Sequence, residues 1–134
     1  MLNKQEVFDL VLNHLRQQGR PALRIHGLCA YRAPDGAKCA IGALIADEYY
    51  DPGMEGFGVT DKFNKGRTSP VINALRRSGW AVETEQDFDF LHHLQTFLHD
   101  RPSAEDAFMV EVERAATEIA ATYGLTYVAP GSPQ

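Results

Sequence analysis

Apolar residues recur at helical spacing in five stretches of this chain, and residues that start or stop helices bound most of them. Val7, Phe8, Val11 and Leu15 form a stripe over residues 4–18, with Asn3 and Glu6 at capping-box spacing and Gly19 as the stop. Ile41, Leu44 and Ile45 predict a second helix that opens at Lys38 or Cys39 and ends in Asp47-Glu48-Tyr49-Tyr50, with Gly42 leaving a shallow place where another backbone can approach. Thr68 or Ser69 ahead of Pro70 starts a short third helix through Arg77, which Ser78-Gly79 ends. Thr84 and Asp87 have cap spacing in front of Phe88, Leu91, Leu94 and Leu98. After Pro102-Ser103 the longest pattern follows, Phe108, Met109, Val112, Ala116, Ile119, Ala120 and Tyr123, closed by Gly124. The last two helices predict an antiparallel hairpin that shares most of the core with the first.

Between these stretches the period fails. Residues 20–37 mix Leu23, Ile25, Leu28 and Tyr31 without a repeat, so they read as an irregular or short-strand crossing that runs into the turn Ala33-Pro34-Asp35-Gly36. Asp51-Pro52 has the form of an N-cap followed by proline, opening a single turn that Gly53 and Gly56 keep short. The expected fold is mainly α: one small globular domain of about five helices over residues 1–125, followed by a flexible C-terminal tail at 126–134.

Composition adds a setting and an asymmetry. A length of 134 residues, 44% hydrophobic and 23% charged, suits one soluble domain with a single core. No run approaches the roughly 20 apolar residues of a membrane span, and the N-terminal MLNKQEVFDL reads as a helix start, so the expected setting is cytoplasmic, without a membrane. There the two cysteines are expected to stay thiols. Residues 1–80 carry 11 Lys/Arg against 8 Asp/Glu, and residues 81–134 carry 2 against 10, a split of +3 and −8. The acidic half would repel phosphates, which argues against nucleic acid as a general partner, while two differently charged faces would suit a homodimer or one polar partner.

Three constellations carry candidate chemistry. Cys39, in the first turn of the expected helix and beside Lys38, has two reasons to favour a thiolate, although no cysteine-enzyme signature surrounds it. His26, Cys29 and Cys39 supply three of the four ligands a zinc site needs, but the paired short spacing of structural zinc appears at one end only. Lys62, Lys65 and Arg67 form an anion-facing loop without phosphate-loop spacing, and with Arg76-Arg77 nearby the 62–77 region is the place for any nucleic-acid contact. No cofactor motif is present.

The densest stretch, Cys29 to Gly56, brings the readings together. Cys29-x-Tyr31-Arg32, Gly36-x-Lys38-Cys39-Ala40-Ile41-Gly42-x-Leu44-Ile45, then Asp47, Tyr50 and Met54-Glu55-Gly56, with Leu94-Gln95 and His99-Asp100 later, resemble small proteins encoded in bacteriophages and prophages of proteobacteria. The resemblance spans roughly residues 3–125 and brings no activity with it. It implies a phage-type protein that binds and masks a host protein or protein complex, including a defence complex such as CRISPR-Cas. On the residues themselves, Tyr31, Arg32, Tyr49, Tyr50, Asp51, Met54 and Glu55 are the expected partner contacts, because Tyr and Arg on a preformed loop combine apolar area with directional hydrogen bonds. A small cysteine- or zinc-dependent enzyme centred on Cys39 is the alternative, and a nucleic-acid-binding module at 62–77 the next.

Overall fold

The computed structural model describes residues 2–23, 30–55, 57–58, 69–96 and 107–130. Among them the chain is mainly α. Four α-helices, α1 (Lys4–Gln18), α2 (Pro70–Arg77), α3 (Glu85–Gln95) and α4 (Phe108–Tyr123), surround a central segment of three single 3-10 turns at Gly42–Leu44, Asp47–Tyr49 and Pro52–Met54. None of these helices is long and apolar enough to cross a membrane.

Local signals start α1, α2 and α3 and close α1 and α4. The Asn3 side chain accepts from the Glu6 N–H and Gly19 closes α1 in the left-handed region at φ 69°, its N–H donating to the Leu15 carbonyl. Ser69 caps α2 by accepting from the Val71 N–H, with Pro70 at the first helical position. Thr84 and Asp87 form a reciprocal capping box on α3. Gly124 ends α4 in the same left-handed region as Gly19.

The apolar stripes meet in one core. Val7, Phe8, Val11 and Leu15 of α1 are buried in the same cluster as Phe90, Leu91 and Leu94 of α3 and Val112, Ala116 and Ile119 of α4. Helix α1 touches both α4 and the Gly42–Leu44 turn, and α3 touches α4. Each large side chain so buried contributes about 1.5–3 kcal/mol.

Two expectations change. Residues 39–50 are not an α-helix: Ala46 is extended at ψ 146°, and the segment breaks into the separate turns Gly42–Leu44 and Asp47–Tyr49. The stretch after 125 is pinned at its start. Gln5 donates from Nε2 to the Thr126 carbonyl and accepts the Thr126 N–H through Oε1, Arg16 donates to the Val128 carbonyl, and the Tyr127 hydroxyl donates to Glu113. Residues 126–128 are therefore a strap that ties α1 to α4, and the Arg16–Glu113 pair, two-pronged at 2.8 and 2.7 Å, lies under it. In the 20–37 region the structure has an antiparallel bridge from Arg32 to Lys38 across the expected Ala33–Gly36 turn; residues 24–29 lie outside the described residues.

Asp87 does more than cap. It is fully buried, and its carboxylate accepts from the backbone N–H groups of Leu2, Glu83 and Thr84 and from the Lys4 ammonium, so one side chain holds the start of the chain against α3. Burial alone would raise its pKa, but the backbone donors and Lys4 outweigh that and hold it far below the ordinary aspartate value of 3.8. A depressed folded-state pKa means the stabilisation is complete above about pH 4 and is lost as the pH falls toward the folded value. Asp87→Asn should cost about 2 kcal/mol at pH 6, and urea melts at falling pH should show that gap closing below about pH 4.

Candidate functional site

The central segment is assembled on the backbone of Tyr31. Its carbonyl accepts the Cys39 N–H at 3.2 Å, and the Ala33 N–H donates to the Ala37 carbonyl at 2.8 Å, which closes the hairpin over Pro34-Asp35-Gly36. Gly36 takes φ 92°, a conformation that L side chains rarely adopt. Gly42 then lies directly on Tyr31. A Cβ built on Gly42 would stand 2.0 Å from the Tyr31 carbonyl oxygen, so this close crossing excludes every other residue type. The approach foreseen from the sequence at Gly42 is real, and the backbone that makes it is that of Tyr31.

The same crossing explains why no α-helix continues here. The Trp80 indole donates to the Leu44 carbonyl at 2.8 Å, Arg32 donates from Nη2 to the Ile45 carbonyl at 2.8 Å, and the Ala46 N–H donates to Ser78 Oγ at 2.9 Å. Three consecutive residues thus take tertiary partners at groups that an α-helix would pair along its own axis.

The expected contact residues fall into two sets. Tyr31 is 2% exposed, its hydroxyl donating to the Phe57 carbonyl and accepting from Gln95, and Met54 is equally buried. Both side chains belong to the core cluster and are not exposed anchors. Arg32, with 18% of its side chain exposed, is committed to Ile45, to Asp47 at 2.8 Å and to the face of Tyr50, whose ring centroid lies 4.8 Å from Cζ. Its Nε is buried with no acceptor among the described residues. Glu55 accepts the backbone N–H groups of Tyr31 and Arg32 and the Tyr50 hydroxyl at 2.6 Å. Burial, and then that bond to Glu55, push the Tyr50 pKa up to about 12. These groups lock the loop from within because each satisfies a neighbouring backbone or side-chain group.

What remains outward is the rim. Asp47 is 83% exposed on its side chain even while it pairs with Arg32 and Lys38, Lys38 first and Arg32 second drawing its pKa below the ordinary value. Glu48, Asp51, Pro52 and Gly53 are exposed and Tyr49 is half-buried. Asp51 accepts the Gly53 N–H at 2.8 Å, so the rim is shaped before any partner arrives.

Cys39 is buried, and its sulfur accepts the Gly42 N–H at 3.1 Å, so the thiol caps a turn. His14 bonds through Nε2 to the Lys38 carbonyl at 2.9 Å. His26 and Cys29, the other ligands of the expected zinc site, lie outside the described residues, as do Lys62, Lys65 and Arg67 of the basic loop. Among the described residues no three His, Cys, Asp or Glu side chains converge as metal ligands. On α3, His92 is exposed while His93 bonds the Tyr123 hydroxyl of α4.

Substitutions separate these roles. Gly42→Ala should destabilise by about 3 kcal/mol or more, whereas Gly53→Ala should stay within about 1 kcal/mol, both read from urea midpoints; the added methyl meets backbone in the first case and only the Asp51 carboxylate, at 3.3 Å, in the second. Iodoacetamide should label Cys39 on the order of 100-fold more slowly in the folded protein than in urea, as peptide mass spectrometry will report.

Family models, curated proteins and solved structures offer no match to this chain, and its function therefore rests on its own geometry.

Proposed function

We propose that this chain is a non-catalytic binding protein that masks a surface of a partner protein, with the exposed rim of Asp47, Glu48, Tyr49 and Asp51 as its contact edge. One observation carries the reading: the reactive-looking side chains of the centre, Arg32, Cys39, Tyr50 and Glu55, are spent on internal bonds, and their effect is to hold the rim rigid. Rigid presentation lowers the ordering cost of association, and exposed carboxylates around a tyrosine favour a partner with a basic surface. The resemblance of the 29–56 motif to phage and prophage proteins supports a host factor as that partner, with an anti-defence role against a complex such as CRISPR-Cas as the form it would take.

Asp87, Asp89, Glu105 and Glu111 of the acidic second half would be the alternative surface, imitating phosphate toward a basic groove, but it has less support. Asp87 is buried and structural, Asp89 is exposed, Glu111 is half-buried, and Glu105 lies outside the described residues. The rim is the better-supported acidic surface.

The test is capture of partners from host lysate by tagged protein, wild type against an Asp47→Lys/Asp51→Lys double variant whose thermal stability is checked in parallel. Loss of a stoichiometric partner in the folded variant, with a steeper salt dependence for wild type, is the expected result. A partner retained equally by both proteins would remove the rim from the reading.

A further inference from the structure

Beside the rim, the loop carrying the second and third 3-10 turns faces α2 across a cleft of about 370 Å³ lined by Tyr49, Asp51, Met54, Asn73, Ala74 and Arg77. The floor is apolar, since Met54 and Ala74 are buried there. The walls differ in charge: Tyr49 and the Asp51 carboxylate stand on the loop side, the Asn73 amide and the Arg77 guanidinium on the helix side. Asn73 and Arg77 are four residues apart on α2, so they share one face of that helix.

These groups contrast with the rest of the central segment. Around Tyr31 the side-chain donors and acceptors are largely turned inward, while the Asn73 and Arg77 side chains have no hydrogen bond or ion pair among the described residues and both are exposed. Within the same molecule, the half-buried Gln5 shows what a carboxamide does with a non-helical segment: it donates to the Thr126 carbonyl at 3.1 Å and accepts the Thr126 N–H at 2.8 Å. Asn73, whose carboxamide likewise carries N–H donors and a C=O acceptor, has the chemistry to grip a peptide unit of another protein. Gly53 at the edge leaves room for that backbone to come close.

Resting on the binding reading above, we propose that this cleft takes an extended segment of the partner protein, an apolar side chain seated over Met54 and Ala74 and an adjacent acidic side chain paired with Arg77. The charge order decides the occupant. A carboxylate at the helix wall meets a guanidinium that can bind it two-pronged, whereas a carboxylate at the loop wall meets Asp51. The loop wall is already fixed by the Asp51 cap and the Met54 N–H bond to the Asp51 carbonyl, so little order has to be imposed on binding.

The probes are two capped peptides, Ac-Ala-Leu-Glu-Ala-NH2 and Ac-Ala-Leu-Gln-Ala-NH2, titrated to roughly 10 mM into isotope-labelled protein and followed by amide chemical shifts, a range that reaches the millimolar affinity of a single anchored segment. Expected are shifts confined to residues 49–54 and 70–77, about three-fold tighter binding of the Glu peptide, and loss of that preference in Arg77→Gln with the Leu-dependent shifts retained. Silence at these residues, equal response to both peptides, or a preference that survives Arg77→Gln would each overturn the proposal. A blank titration would do so even if rim-dependent partner capture succeeds, and failed capture with a positive titration would sink the masking role while leaving the cleft in place.

Discussion

A backbone that is buried without forming helix or sheet has to find its hydrogen-bond partners elsewhere, and the centre of this protein is built on that requirement. Residues 31–55 cross beneath α1 as a hairpin and three isolated turns. Their N–H and C=O groups are taken up by Glu55, Trp80, Ser78, Gln18 and Arg32. Leaving one such group unmade costs about 1–3 kcal/mol, so the side chains that serve them are as structural as the apolar core. The packing of Gly42 onto the Tyr31 carbonyl fixes where the crossing occurs, and the remaining bonds follow from it.

The helices supply the frame for this crossing. Helix α1 lies against both α4 and the first 3-10 turn, and it is fastened at its two ends by different chemistry. At the N-terminal end the buried Asp87 carboxylate collects Leu2 and Lys4. Toward the C-terminal end Arg16 joins Glu113 and the strap at Val128. A charge as deeply buried as Asp87 is tolerated because three backbone donors and an ammonium replace its water. The polar groups that the frame does not consume are left on the rim and in the cleft beside α2.

That division underlies the function proposed above. Tyrosine, arginine and glutamate close together in a sequence suggest either catalysis or a contact surface, and here most of them act as internal fasteners. The surface they support is smaller than the motif: a few carboxylates, a half-buried tyrosine, and a cleft with opposite charge on its two walls. A preformed edge of this kind suits recognition of another protein, because the ordering cost of the loop is met during folding.

The amino-acid sequence by itself determined the four α-helices, the N-caps of the first three and the mainly α class, because helical periodicity and capping are local and each is read within a few residues. It also marked Gly42 as a place of close approach, through the missing side chain alone. Tertiary structure decided the rest. The apolar pattern of Ile41, Leu44 and Ile45 suits a helix equally well, and only Trp80, Ser78 and Arg32, up to 36 residues away, draw those backbone groups out of one. Tyr31 reads as an exposed anchor until Gln95, 64 positions on, donates to its hydroxyl in the core. Arg77 reads as part of the basic 62–77 region until the loop at 49–54 is folded opposite it. Nothing in the order of residues could place these partners side by side, since the pairing depends on distances through space that only the packed core sets.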